Sequence, residues 1–262
     1  MIKTIRRPQA GFTLIELLTV IAIIGILAAI IIPTVGNVQK RAQRTTDGSN
    51  LRQIGQSALI YAQDNKDRLP SKTLSANTAT FGRSTTDGST NVHLYAAALA
   101  VAAGLNDGRM WMSKIDEGLP GGDDSANAAV STIINGAKNA FTPEFLNTYP
   151  AYAVVGGLSA SDPATSPIAF TRGLTSTGGW DNTAGVYKNE GGYIYFLGGN
   201  VAFFKNVGTT NGASGDGELV ATDGTKTNNI RSTIKTSRSV YANAGTSVTD
   251  TASVGGTAGI GN

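Results

Sequence analysis

A run of about 19 apolar residues, LIELLTVIAIIGILAAIII from Leu14 to Ile32, constrains this chain more than any other feature. It has the roughly 17–25 residues that an α-helix needs to cross a bilayer core. Its single charge is Glu16. A carboxylate inside such a run costs on the order of 2.5–3.5 kcal/mol near a bilayer centre, and less near an edge. Thr19, Gly25 and Pro33 are tolerable in a helix of this kind, whereas an ionisable side chain so near its start marks a functional position.

The ten residues ahead of the run carry Lys3, Arg6 and Arg7 and no acid. That is the basic opening of an export signal, with the parts in an unusual order. In a secretory signal the apolar stretch precedes the cut and is discarded. Here the only small-residue boundary, Ala10-Gly11, precedes the apolar stretch, so cleavage there leaves the helix on the mature chain. A basic leader, then Gly11-Phe12-Thr13-Leu14-Ile15-Glu16, then an apolar helix, strongly resembles the signal of type IV prepilins and type II secretion pseudopilins.

The resemblance covers residues 11–69. It implies cleavage between Gly11 and Phe12 by a prepilin peptidase, which also N-methylates Phe12. It implies that Glu16, fifth in the mature chain, pairs with the amino terminus of a neighbouring subunit during assembly. Gly25 and Pro33 fall where pilins commonly place a glycine and a proline, and would lend the helix flexibility. The other partners implied are identical or related pilin subunits, an inner-membrane assembly platform and the lipid bilayer. The implied location is a single-pass inner-membrane protein before assembly, with the leader cytoplasmic and the C-terminal domain periplasmic, or extracellular in a filament. Charge alone does not orient the helix, since Lys40, Arg41 and Arg44 follow it closely. An ordinary anchor whose Glu16 snorkels to the interface is the plain alternative, and it leaves the Gly11 junction unexplained.

Beyond Pro33 the apolar residues Val38, Ala42, Leu51, Ile54, Ala58, Tyr61 and Ala62 recur mostly at three- and four-residue steps. This predicts a one-sided amphipathic helix over about 35–65, weakened at Gly48 and Gly55 by ~1 kcal/mol each relative to alanine. A helix over 12–66 would reach on the order of 80 Å, with its stop at Asn65 to Pro70. The head is expected over 67–204. Residues 72–91 read as a surface loop, Val92 to Leu105 and Ala126 to Asn135 as short helices, and Met110-Trp111-Met112 as a short strand. Tyr149 to Val155, Ile168 to Thr171 and Val186-Tyr187 are further candidate strands. Gly192 to Leu197 and Val201 to Phe204 flank Gly198-Gly199-Asn200 and predict a β-hairpin. The fold class is therefore α+β, pilin-like: a long N-terminal helix on a small antiparallel sheet with Gly-rich loops.

Residues 205–262 are rich in Gly, Thr, Ser, Ala and Asn, and by composition read as a flexible tail. Arg231, Lys235 and Arg238 could share one face of a short helix there, with a solvated loop preferred.

Composition narrows the chemistry. Three of the 21 basic residues lie in the leader, leaving 18 against 18 acids in the mature chain, which removes the bulk-charge argument for nucleic acid. The absence of cysteine excludes thiol catalysis and most structural zinc sites. It also favours a pseudopilin over a pilin, since many pilins close a C-terminal loop with a disulfide. His93, the only histidine, would have to serve any His-dependent triad, and reads instead as a partly exposed polar residue. Asp116-Glu117 and Asp123-Asp124 read as solvated loop acids.

Major pseudopilins carry calcium in a C-terminal loop, and Trp180-Asp181-Asn182 with Glu190 offer oxygen ligands. Their spacing follows no EF-hand and assigns no metal ligand. No catalytic residue or other cofactor is assigned, and the chain reads as a structural subunit rather than an enzyme. The rival readings are a minor pilin that binds DNA or a surface, and a membrane-anchored hydrolase built on His93.

Overall fold

The computed structural model describes residues 13–71, 91–116, 129–175, 177–208, 217, 219–235 and 239–241. The chain divides into two compact units, residues 1–44 and 45–262. Helix α1, Leu14–Asp64, begins in the first and ends in the second. It runs through Gly25 and Pro33 without a break in its helical assignment.

In the first unit the apolar side chains of α1 face outward. Leu14, Ile15, Leu17, Leu18, Val20, Ile21, Ile23, Ile24, Ile26, Leu27, Ile30, Ile31 and Ile32 are between 47% and 80% exposed. Such a continuous apolar surface is far larger than a water-soluble monomer tolerates.

In the second unit the predicted amphipathic pattern holds from Leu51 onward. Leu51, Ile54, Ala58, Tyr61 and Ala62 are buried, while Arg52, Gln53, Gln56 and Gln63 face solvent. Val38 and Ala42, expected on the same stripe, lie exposed in the first unit. The helix stops as predicted: Lys66 and Asp67 adopt left-handed φ of 56° and 57°, and the Leu69 amide donates to the Leu158 carbonyl at 2.8 Å.

The head is built on a five-stranded antiparallel sheet. Its strands are β1 Tyr152–Gly156, β2 Pro167–Thr171, β3 Gly192–Phe196, β4 Val201–Phe204 and β7 Ser239–Tyr241, in the order β4-β3-β2-β1-β7. The β3–β4 pair is the predicted hairpin, with Tyr193 opposite Phe203 and Tyr195 opposite Val201. β1 and β2 are buried along their whole length, as central strands covered on both faces are. Helix α2, Asn91–Ala102, packs on β1 and ends before Gly104, whose φ of 73° suits glycine. A one-turn helix α3, Pro143–Leu146, places Phe145 in the core.

Several expectations fail locally, each for a visible reason. Met110 and Trp111 lie in a 3-10 turn, Gly108–Trp111, because the Asp107 carboxylate accepts from the Arg109 amide and starts it. Val186 and Tyr187 are buried but turn rather than pair, since the Gly185 amide bonds back to Asp181 and Lys188 takes a φ of 50°. Residues 130–135 make isolated bridges, Thr132 to Asp107 and Ile134 to Phe141, where a helix was predicted. Of the loop predicted over 72–91, residues 72–90 lie outside the described residues, as do Asp123 and Asp124, and Asn91 instead opens α2.

The described residues of the stretch 205–262 depart most from its expected character; residues 242–262 lie outside them. Among its described residues, β5 Leu219–Val220 pairs with β6 Lys226–Thr227, and a 3-10 turn spans Ile230–Thr233. β7 then joins the sheet beside β1, with Val240 opposite Val155. Composition averaged over this stretch hides Val207, Leu219, Ile230, Ile234 and Val240, whose side chains are all buried. Arg231 lies in the 3-10 turn, and the Lys235 ammonium pairs with Asp162 at 2.7 Å. Arg238 lies outside the described residues.

Candidate functional site

The start of α1 is closed by a reciprocal cap. The Thr13 amide and hydroxyl both donate to Oε2 of Glu16, at 2.9 and 2.7 Å. The Glu16 amide approaches the Thr13 hydroxyl oxygen at 3.3 Å. This is a capping box, Thr-x-x-Glu, which satisfies amides that a helix start otherwise leaves without partners. The negative carboxylate also sits at the positive end of the helix dipole. Among the described residues, Oε1 of Glu16 makes no hydrogen bond, so the carboxylate keeps one face for a second donor. Thr19 donates its hydroxyl to the Glu16 carbonyl at 3.0 Å, which removes a polar hydroxyl from its apolar setting.

Leu14–Ile32 is the one stretch, among the described residues, long and apolar enough to cross a membrane. Glu16 therefore lies two residues inside it, where a carboxylate costs less than at the centre. A Cβ added at Gly25 would meet nothing within 4 Å, so its lack of a side chain serves no contact within this chain. Gly11 and Phe12 lie outside the described residues.

Residues 6–32 match the family model described as the prokaryotic N-terminal methylation motif. The amino-terminal segment carries this motif. Relatives of known identity agree with it. Over 60 residues the chain is 40% identical to the type II secretion system core protein G of Pseudomonas aeruginosa, covering 23% of this chain and 42% of that protein. It is 48% identical over 59 residues to a type IV wide pilus major component of Thermus thermophilus, covering 22% and 45%. A fimbrial protein of Pseudomonas aeruginosa is 44% identical over 61 residues, covering 22% and 40%. The chain thus spans 40–45% of the length of the curated relatives it matches. No solved structure matches it.

The prepilin-type segment leaves the head to be read from its own chemistry. Its most polar buried feature is Asp47, on the outer half of α1 beside Gly48. Oδ2 of Asp47 accepts from the Ser113 hydroxyl at 2.6 Å and from the Tyr187 hydroxyl at 2.7 Å. The Tyr152 hydroxyl reaches the Asp47 carbonyl at 3.3 Å. Burial, reinforced by the nearby Asp47 charge, holds both phenols protonated far above the usual tyrosine range.

A second buried group joins loops on the head. Nη2 of Arg172 donates to both carboxylate oxygens of Asp116 at 2.6 and 2.8 Å, its Nε to the Ala184 carbonyl, and its Nη1 to the Pro150 carbonyl. Asp116 is therefore not a solvated loop acid: its side chain is fully covered because a bidentate guanidinium compensates it. Glu117 lies outside the described residues.

His93 also departs from its expected exposure. It is 1% exposed and sits edge-on to Phe145, with ring centroids 5.1 Å apart, and to Phe141 at 6.4 Å. The alanine-rich sequence around it concealed a core position. Asp181 spends Oδ1 on its own turn, accepting from the Thr183 amide and hydroxyl and the Ala184 amide at 2.6–2.8 Å. Among the described residues, no group of three or more His, Cys, Asp or Glu is arranged to hold a metal ion.

Proposed function

We propose that this chain is a structural subunit of a type II secretion pseudopilus or type IV pilus-like filament. A prepilin peptidase cuts between Gly11 and Phe12 and methylates the new amino terminus, and Leu14–Ile32 anchors the subunit in the inner membrane until assembly. The observation that carries this reading is the methylation signal over residues 6–32 leading directly into an outward-facing apolar helix. Such a helix needs lipid first and sister helices afterwards.

Glu16 gives the assembly step its chemistry. Oε2 is held by Thr13 of the same chain, while Oε1 takes no part in that cap and can accept from the methylated, positively charged terminus of a neighbour. In an apolar bundle that attraction is weakly screened, and leaving either charge alone is costly. Pairing would therefore fix the axial register at which a new subunit joins.

The test is Glu16→Gln, read by the mass of the mature amino-terminal peptide and by the yield of filaments. Cleavage at Gly11 and methylation of Phe12 should persist while filaments fall at least tenfold. Filaments at the normal level would remove the role of Glu16, and an uncut chain in the unaltered protein would remove the reading as a whole.

A further inference from the structure

Beyond the apolar span, α1 carries a basic face that neither the capping box nor the methylation signal explains. Lys40, Arg41 and Arg44 stand within five residues, and no acid occurs between Glu16 and Asp47. Lys40 and Arg44 are four apart and Arg41 and Arg44 three apart, so all three cations share one side of the helix. Lys40 and Arg41 are exposed, and Arg44 is half-buried. Like charges at these spacings repel each other, and an anion beside the face relieves that repulsion.

The helix rise places that face. Lys40 is eight residues past Ile32, about 12 Å along the axis at 1.5 Å per residue. Side chains on a helix lean toward its amino terminus, here toward the bilayer. Lys and Arg heads can therefore return several ångströms toward the hydrocarbon edge. The polar layer on each side of a bilayer is roughly 5–7 Å thick, and the exposed Val35 and Val38 carry apolar surface into it. The heads of Lys40 and Arg41 thus come level with lipid phosphates, and Arg44 lies within about one Debye length of them.

We infer that Lys40, Arg41 and Arg44 form a docking face for anionic phospholipid headgroups of the membrane that α1 spans, holding the unassembled subunit at a fixed depth. The inference rests on the membrane-anchored reading above. Arginine suits this partner because its guanidinium can grip a phosphate through two hydrogen bonds. Removal of the leader, with Lys3, Arg6 and Arg7, would make this face the main cationic contact left beside the span.

The experiment uses the full chain in phosphatidylcholine vesicles doped with spin-labelled phosphatidylglycerol or spin-labelled phosphatidylcholine. The motionally restricted fraction of each label gives the lipid preference. The unaltered chain should favour phosphatidylglycerol several-fold, and about 0.5 M salt should reduce that preference. Lys40→Gln with Arg41→Gln, both exposed positions, should bring it close to one. A companion chain with Lys3, Arg6 and Arg7 changed to Gln should keep most of it.

No preference in the unaltered chain, or an undiminished one in the double variant, overturns the inference. So does a double variant that loses filament yield yet keeps its lipid preference, since the face then serves an acidic protein partner. A chain washed off the vesicles by carbonate overturns the anchored reading itself, which is a separate failure.

Discussion

The hydroxyl of Tyr187 donates to the carboxylate of Asp47 at 2.7 Å across 140 residues of sequence, tying the helix to the turn before β3. The Tyr152 hydroxyl comes to the same residue from β1, and Ser113 from the loop after the 3-10 turn. A carboxylate without hydrogen bonds in this position would be strongly destabilising. Two hydroxyls on the carboxylate and a third on the backbone carbonyl make Asp47 instead the polar fixture of the helix–sheet contact.

That arrangement predicts alkaline sensitivity. Both phenols have folded pKa values raised by burial, with Asp47 adding to the effect. Above about pH 10 the unfolded chain releases these protons while the folded chain keeps them. The folded state then binds more protons, so its stability falls as pH rises, by about 1.4 kcal/mol per unit for each phenol. Tyr187→Phe should cost about 2 kcal/mol near neutrality and flatten the alkaline slope by one phenol's share. Urea midpoints of the full chain in detergent, followed by near-ultraviolet circular dichroism from pH 7 to 11, check both effects.

The Arg172–Asp116 pair makes a sharper claim about charge. Asp116→Ala leaves a covered guanidinium without its carboxylate and should cost about 3–5 kcal/mol. Changing Arg172 to Met in the same chain removes the stranded charge and should recover part of the loss. Stabilities of the two single variants and the double variant give the coupling. Additive losses would mean that the two side chains act independently.

The parts of this fold that could be read from sequence are those that local pattern encodes. The span is a continuous apolar run, the stripe from Leu51 to Ala62 repeats every three or four residues, and the β3–β4 hairpin brackets a Gly-Gly-Asn turn. The Thr13-x-x-Glu16 capping box has a spacing that sequence can show, but the reading of Glu16 as a lone acid in an apolar run passed over it. The burial of Asp47, Asp116 and His93 was not legible. Each owes its burial to partners dozens of residues away, and short-range spacing carries no trace of Tyr187, Arg172 or Phe145. The order within 219–241 was hidden for a related reason: a few well-separated apolar residues supply the burial while small polar residues dominate the average.

Acid should loosen the turn around Asp181. Its pKa lies below the usual carboxylate value, chiefly through the Thr183 hydroxyl and also through the Thr183 and Ala184 amides, against a smaller opposing effect of burial. A depressed folded pKa contributes stability above the unfolded value of about 3.9, and loses it as pH falls toward the folded value. Asp181→Asn keeps an acceptor for the turn but removes the titration. The variant's urea midpoint should therefore vary less steeply than that of the unaltered chain as pH falls below about 4. Equal slopes would show that Asp181 carries no net charge stabilisation.

Gly55 gives the cleanest contest between local propensity and packing. Helix propensity alone says that Gly55→Ala should stabilise α1 by ~1 kcal/mol. The structure says the opposite. A Cβ at Gly55 would run into the ring of Tyr195 on β3, at Cε1, Cδ1 and Cζ together. Seven residues earlier, on the same face of the helix, Gly48 lies against the ring of Tyr193, where a Cβ would stand 3.1 Å from Cε1. The two glycines let the helix approach the tyrosine-bearing face of β3, and Tyr195 is 1% exposed in a core it cannot easily leave. Overpacking of this kind typically costs about 1–3 kcal/mol, so Gly55→Ala should lower the urea midpoint. Gly48→Ala should cost less, because its neighbour need yield only a few tenths of an ångström. Shrinking the obstacle should reverse the order: in a Tyr195→Leu background, Gly55→Ala becomes neutral or stabilising. If Gly55→Ala raised the midpoint in the unaltered chain, close helix–sheet contact could not be the reason for glycine at this position.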